Sequence, residues 1–155
     1  NSAMQNSVNW YFQAIDSQLG INRVQEFLNK IEYGNQTTSS NLDLYWSDFS
    51  LKISPLEQVT LLKKFNTNEF HLNFQNVFSV KNAIKIASTP NGNFYGKTGT
   101  GRVNGQDING WFIGYVETSD NSYYFATNIQ SDSNATGKKA FEITSDILKK
   151  LHIWN

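Results

Sequence analysis

Apolar positions recur at helical spacing through the first third of the chain. Val8, Tyr11 with Phe12, Ile15 and Leu19 lie three or four residues apart, and Gly20 follows as a stop. Val24, Phe27, Leu28 and Ile31 repeat the pattern and predict a second short helix. From Tyr33 to Ile53 the periodicity lapses into a stretch rich in Asn, Ser, Thr and Asp, a length of loop that compact domains usually keep for function. Ser54-Pro55-Leu56-Glu57 then predicts a sharp helix start: a capping serine, a proline at the first helical position and a glutamate that returns a bond to the cap. Leu56, Val59, Leu62 and Phe65 are its expected inward stripe. Val77, Val80, Ile84 and Ala87 predict a fourth amphipathic helical stretch, ended by the turn Pro90-Asn91-Gly92.

Beyond that turn the period changes. Asn93 to Gly99 predicts a strand, and Gly110 to Thr118 a second with Trp111, Ile113 and Tyr115 on one face and Phe112 and Val116 on the other. A strand apolar on both faces lies centrally and is covered on both sides. Ser122 to Gln130 predicts a third strand, joined to the second by the turn residues Ser119-Asp120-Asn121 in an antiparallel hairpin. From about Thr136 to Leu151 the chain closes as a helix with Phe141, Thr144, Ile147, Leu148 and Leu151 on one stripe. Helices, an antiparallel sheet and a final helix predict an α+β domain in which helices flank the sheet.

Composition narrows the classes of function. The 155 residues suit one domain, residues 1–155, and 39% hydrophobic with 14% aromatic residues suffices for a core. Thirteen basic against thirteen acidic residues leave no basic footprint, so nucleic acid is not an expected partner. The absence of cysteine excludes disulfides, thiol nucleophiles and thiolate metal sites, and His71 and His152 have no acidic or second histidine partner at ligand spacing. Neither a cofactor nor a metal is expected. No apolar run approaches the roughly 18 residues of a membrane span, and the polar opening Asn1-Ser2-Ala3-Met4-Gln5 is not a signal peptide. The chain is expected to be an interior piece of a longer one.

Candidate chemistry gathers in a few places. Tyr95-Gly96-Lys97-Thr98-Gly99-Thr100-Gly101 puts an ammonium and hydroxyls on a strand whose glycines let a ligand approach the backbone. If this strand edges a cleft, the Thr100 amide is a candidate oxyanion donor; the plainer reading is a glycine-rich hairpin with a solvated lysine. Ser7, at the start of a predicted helix, reads by itself as a cap. Tyr33-Gly34-Asn35 reads as a turn, and Trp46 as an anchor for the long loop.

Taken in order, Ser7-Val8-Asn9, Tyr33-Gly34-Asn35, Trp46, Ser54-Pro55-Leu56-Glu57-Gln58-Val59, Lys97-Thr98-Gly99-Thr100-Gly101, Asn109-Gly110-Trp111-Phe112 and Tyr123-Tyr124-Phe125-Ala126-Thr127 resemble the penicillin-recognising serine fold. More narrowly the chain is similar to class D β-lactamases and to the extracellular sensor domains of BlaR/MecR β-lactam receptors. The resemblance implies that Ser7 relays a proton to the β-lactam nitrogen and that Lys97, Thr98 and Gly99 form the wall for the drug carboxylate. It also implies an oxyanion hole at the Thr100 amide, a structural turn at Tyr33-Gly34-Asn35, and Trp46 near the catalytic lysine.

Two departures matter. The family's nucleophile motif, Ser-x-x-Lys, is not present: no serine has lysine three positions later. Thr60/Lys63 and Thr136/Lys139 have the spacing but read as surface helix pairs. The motif precedes Ser7 in the family, so the chain is expected to lack the N-terminal part of its domain and to form no acyl adduct alone. An uncovered sheet edge would then pair with a second copy or retain an N-terminal fragment. The other departure is Asn9, where class D enzymes usually carry an apolar residue and the sensors an amide. In the sensors this amide disfavours restoring the lysine carbamate, so the adduct persists. Lys138 or Lys139 stands where many class D enzymes use arginine, which grips a carboxylate in two-point fashion. The resemblance therefore implies a β-lactam sensor on the extracellular face of a membrane, with a secreted class D hydrolase as the alternative.

Overall fold

The computed structural model describes residues 2–38, 45–47 and 49–154. Its elements are α1 (Ser2–Gln5), α2 (Asn9–Leu19), α3 (Ile21–Lys30), α4 (Pro55–Asn66), α5 (Phe74–Ala83), β1 (Lys85–Thr89), β2 (Gly92–Val103), β3 (Gln106–Thr118), β4 (Ser122–Gln130) and α6 (Gly137–Lys150). Gly20 ends α2 and starts α3 at φ 80°, a backbone region that glycine enters without steric cost. The cap of α4 forms as its sequence predicts. Ser54 N–H donates to Glu57 Oε2 at 2.8 Å and Glu57 N–H to Ser54 Oγ at 3.3 Å, and these bonds hold the Glu57 carboxyl below its usual range.

The four strands form an antiparallel meander, β1-β2-β3-β4. Tyr95 lies opposite Tyr115, Lys97 opposite Ile113, and Tyr115 opposite Tyr124. The tip between β2 and β3 is Asn104-Gly105, with φ of 48° and 78°, the geometry that two-residue hairpins favour. Strand β1 corrects the helical reading of Ile84 and Ala87. The helix stops at Ala83, and the Pro90-Asn91 turn folds Lys85–Thr89 back onto Gly92–Tyr95. A short segment with one apolar residue every second position satisfies either period, and pairing decided it.

Alternation along the strands divides the core in two. On one face Phe94, Phe112 and Val116 pack against Ala140 and Leu148 of α6, with Phe125, Phe141 and Trp154 closing the cluster. Phe112 meets Phe94 edge-on at 6.0 Å and Phe141 at 5.0 Å between centroids. On the other face the rings of Tyr95, Tyr115 and Tyr124 line up across the strands, and α4 packs on β3 and β4. Strand β3 is therefore central, as its two apolar faces predict.

Three expected stripes need correction. In α6 the inward residues are Gly137, Ala140, Thr144 and Leu148, whereas Ile147 and Leu151 face outward. The small residues Gly137, Ala140 and Thr144, three and four positions apart, bring this helix close to the sheet, and Thr144 Oγ1 meets Thr127 Oγ1 at 2.7 Å. In α4 the buried set is Gln58, Leu61 and Leu62, and Leu56 is 81% exposed in the first turn. Helix α2 packs on α3 yet leaves Trp10, Tyr11, Ile15 and Leu19 exposed. The second cluster forms instead from Val24 and Leu28 of α3 with Tyr45.

Candidate functional site

Ser7 lies at the joint between α1 and α2. Its amide donates to Met4 O at 3.2 Å and the next amide, Val8 N–H, to Ala3 O at 2.9 Å, closing a turn that holds Ser7 at φ 51°. A non-glycine residue in that region is uncommon and persists where its surroundings impose it. The cap position of α2 belongs to Val8, which makes no side-chain cap bond, so the capping reading of Ser7 is corrected. The hydroxyl instead accepts a hydrogen bond from Lys97 Nζ at 2.5 Å, across 90 positions of sequence. Lys97 Nζ also donates to Thr98 O at 2.8 Å.

The lysine projects from β2 on the same face as Tyr95, opposite Ile113. It is half-buried, and desolvation pulls the ammonium below the ordinary lysine value. A lysine with weakened hold on its proton, hydrogen-bonded to a hydroxyl, can pass that proton through the serine to a third group.

Past this lysine the strand is open. Strand β1 pairs with β2 only from Gly92 to Tyr95, and Gly96 N–H still reaches Ile84 O at 2.8 Å. Beyond that, Thr98, Gly99 and Thr100 are exposed, and their outer edge meets no strand among the described residues. Such an edge offers backbone donors and acceptors to an extended ligand. Behind it sits the first turn of α6. Gly137 N–H donates to Thr100 Oγ1 at 2.9 Å. A Cβ on Gly137 would lie 2.6 Å from Gly99 O and 2.9 Å from Thr98 Cβ, so only glycine permits this approach. The positive end of α6 thus faces Thr98–Thr100 and favours a negatively charged ligand there. A shallow cavity of about 240 Å³ beside Lys97 and Thr98 is lined by Gln5, Ile84, Ile86, Phe112 and Phe141 among others.

The other candidates take solvent-exposed or scaffold positions. Asn9 is the exposed first residue of α2. Trp46 packs on the Val24–Leu28–Tyr45 cluster as a loop anchor, and Tyr45 OH donates to Asp16 Oδ2 at 3.2 Å. Burial and the Asp16 charge push the Tyr45 hydroxyl well above its usual range. Asn35 staples the loop with three bonds: its N–H to Lys52 O at 2.9 Å, its Nδ2 to Ser50 O at 2.7 Å, and Lys52 N–H to its Oδ1 at 2.9 Å. Lys138 makes a solvent-facing contact with Glu142 at 3.9 Å, and Lys139 is exposed. Thr60 and Lys63 are likewise exposed, and Thr136 caps α6. His71 and His152 are exposed turn residues at φ 53° and 55°. Gly137 escaped the sequence reading. Its signal is a glycine at the first position of a helix, a costly choice that marks a close approach.

Comparison with known proteins places this geometry. Residues 1–149 match the penicillin binding protein transpeptidase domain. The chain is 44% identical over 153 residues to the methicillin resistance mecR1 protein of Staphylococcus aureus, covering 99% of this chain and 26% of that protein. It superposes on the C-terminal domain of the Bacillus licheniformis BlaR penicillin-receptor with a TM-score of 0.94 and 46% identity, covering 99% of this chain and 62% of that one. A class D β-lactamase from Bacillus subtilis gives 0.91 and 38% identity, with the same two coverages of 99% and 62%. The chain therefore spans about a quarter of the mecR1 protein it matches and under two thirds of the solved receptor domain. On its sequence and its fold alike, this chain belongs to the penicillin-binding protein transpeptidase domain family.

Proposed function

We propose that residues 1–155 are the C-terminal portion of one penicillin-binding sensor domain in a BlaR/MecR-like signal transducer, displayed on the extracellular face of a membrane. Its ligand is a β-lactam antibiotic, acylated onto a serine in the N-terminal part of the same domain. As that serine gives its proton to the lysine of its own Ser-x-x-Lys motif and attacks the lactam carbonyl, the C–N bond opens and the nitrogen takes the proton of Ser7. Lys97 resupplies it. The drug carboxylate lies along Lys97, Thr98 and Gly99, with the Thr100 amide toward the acyl oxygen and Asn9 and Trp46 bordering the catalytic lysine. The supporting observation is the 2.5 Å contact between Lys97 Nζ and Ser7 Oγ, beside the exposed edge Thr98–Thr100. The sensor is preferred to the hydrolase because Asn9 occupies the amide position and identity to the receptors exceeds that to the class D enzyme, 44% and 46% against 38%.

The test uses the full-length protein and fluorescent penicillin. A stoichiometric adduct that clears slowly supports the sensor; nitrocefin turnover supports a class D hydrolase; neither reaction marks a binding module without chemistry. Ser7→Ala is expected to slow adduct formation by roughly a hundredfold or more, the range for losing a general acid.

A further inference from the structure

Lys97, Gly99 and Gly101 share one face of β2, because the pairing with β3 runs unbroken from Lys97 opposite Ile113 to Gly101 opposite Asn109. The two glycines differ in what stands over them. Among the described residues a Cβ on Gly99 would meet only Trp111 Cβ, at an ordinary 3.7 Å. One on Gly101 would lie 2.8 and 2.9 Å from two ring carbons of Phe49. The Phe49 ring therefore lies against the Gly101 backbone, roughly 13 Å along the strand from Lys97 at the usual rise per residue.

Phe49 is held there in an unfavourable conformation. Its φ is 65°, a left-handed value that is an outlier for a bulky side chain. The chain beside it is pinned: Ser50 Oγ and Leu51 N–H both donate to Tyr45 O at 3.0 Å, and Asn35 Nδ2 donates to Ser50 O at 2.7 Å. Backbone outliers fixed by their surroundings in this way cluster at ligand clamps. Strand β1 sets the direction in which a ligand can lie. Its pairing covers β2 up to Tyr95, so a ligand anchored by its carboxylate at Lys97–Gly99 extends the other way, along the exposed Thr98–Thr100 edge towards Gly101. There it meets the half-buried Phe49 ring, whose face suits an apolar or aromatic group.

We propose, on the acylation reading above, that Phe49 is a specificity-determining residue whose ring forms the apolar end wall for the acyl side chain of a bound β-lactam. The test compares two penicillins on the full-length protein, by competition with fluorescent penicillin. Benzylpenicillin carries an aromatic acyl side chain and 6-aminopenicillanic acid carries none. Phe49→Gly keeps a residue that adopts φ 65° freely and removes the ring. The ratio of the two acylation rate constants, benzylpenicillin over 6-aminopenicillanic acid, is expected to fall by about tenfold, the scale of one lost apolar contact. An unchanged ratio overturns the assignment, because a ring that only anchors the loop moves both rates alike. Gly101→Ala, whose methyl would displace the ring, is read by the same ratio and carries the test if the first variant does not fold. A parent protein that reacts with neither penicillin overturns the acylation reading and this assignment with it, a result distinct from an unchanged ratio.

Discussion

Ser7 and Lys97 illustrate how much one hydrogen bond asks of two side chains. A serine held at φ 51° and a half-buried ammonium are each unfavourable alone, and each is placed for the other. Burial lowers the lysine's proton affinity in the folded protein, while the unfolded chain keeps the ordinary value of 10.5. Between those two values the unfolded state binds more protons, so stability rises with pH through that window. Below the window the desolvated ammonium carries its full cost. The stability difference between Lys97→Met and the parent is therefore expected to shift in favour of the parent as pH climbs from 7 towards the ordinary lysine value of 10.5, measured by urea unfolding; a flat difference contradicts it. Glu57 runs in the opposite direction. Its bonds to Ser54 lower its carboxyl from 4.5, so the capping contribution is present above that value and fades as pH falls through the lowered one.

At the scale of elements, α6 and β2 are held in register by a contact that tolerates no side chain. Gly137→Ala would drive a methyl against Gly99 O and Thr98 Cβ. It is expected to cost about 1–3 kcal/mol by overpacking and to displace the exposed edge, read as a lower melting temperature together with slower penicillin adduct formation in the full-length protein. An unchanged melting temperature would show that the helix can slide away freely. The loop has its own such point at Gly34, φ 49°, where a Cβ would lie 1.8 Å from Lys52 O. By contrast the α4 cap is modular: Ser54→Ala is expected to remove about 1 kcal/mol without touching the Lys97 contact, checked by denaturation and an unaltered adduct rate. Helices with strong end signals, α4 above all, were legible because capping is local chemistry. The boundary between α5 and β1 was not, since Ile84–Ala87 suits both periods and only the partner strand β2 decides.

For the whole molecule, the four strands carry α6 on one face and α4 on the other, within a match to the receptor domain that covers 99% of this chain at a TM-score of 0.94. Among the described residues β4 is an edge of that sheet, and α6 leaves Ile143 and Ile147 exposed, as is Leu151 at its C-cap. The 155-residue chain alone is expected to form no covalent penicillin adduct, whereas the full-length protein forms one; a stable adduct on the isolated chain would overturn the assignment of the nucleophile to another segment. The family and the antiparallel hairpin of β3 with β4 could be read from residue order alone, because motif spacing and alternation are properties of neighbours along the chain. Which apolar stripes turn inward in α2, α4 and α6 could not, since an amphipathic helix carries more apolar residues than one neighbour can cover. Nor could the meeting of Ser7 with Lys97: a hydrogen bond across 90 positions exists only once turn, helix and sheet have brought the two groups together.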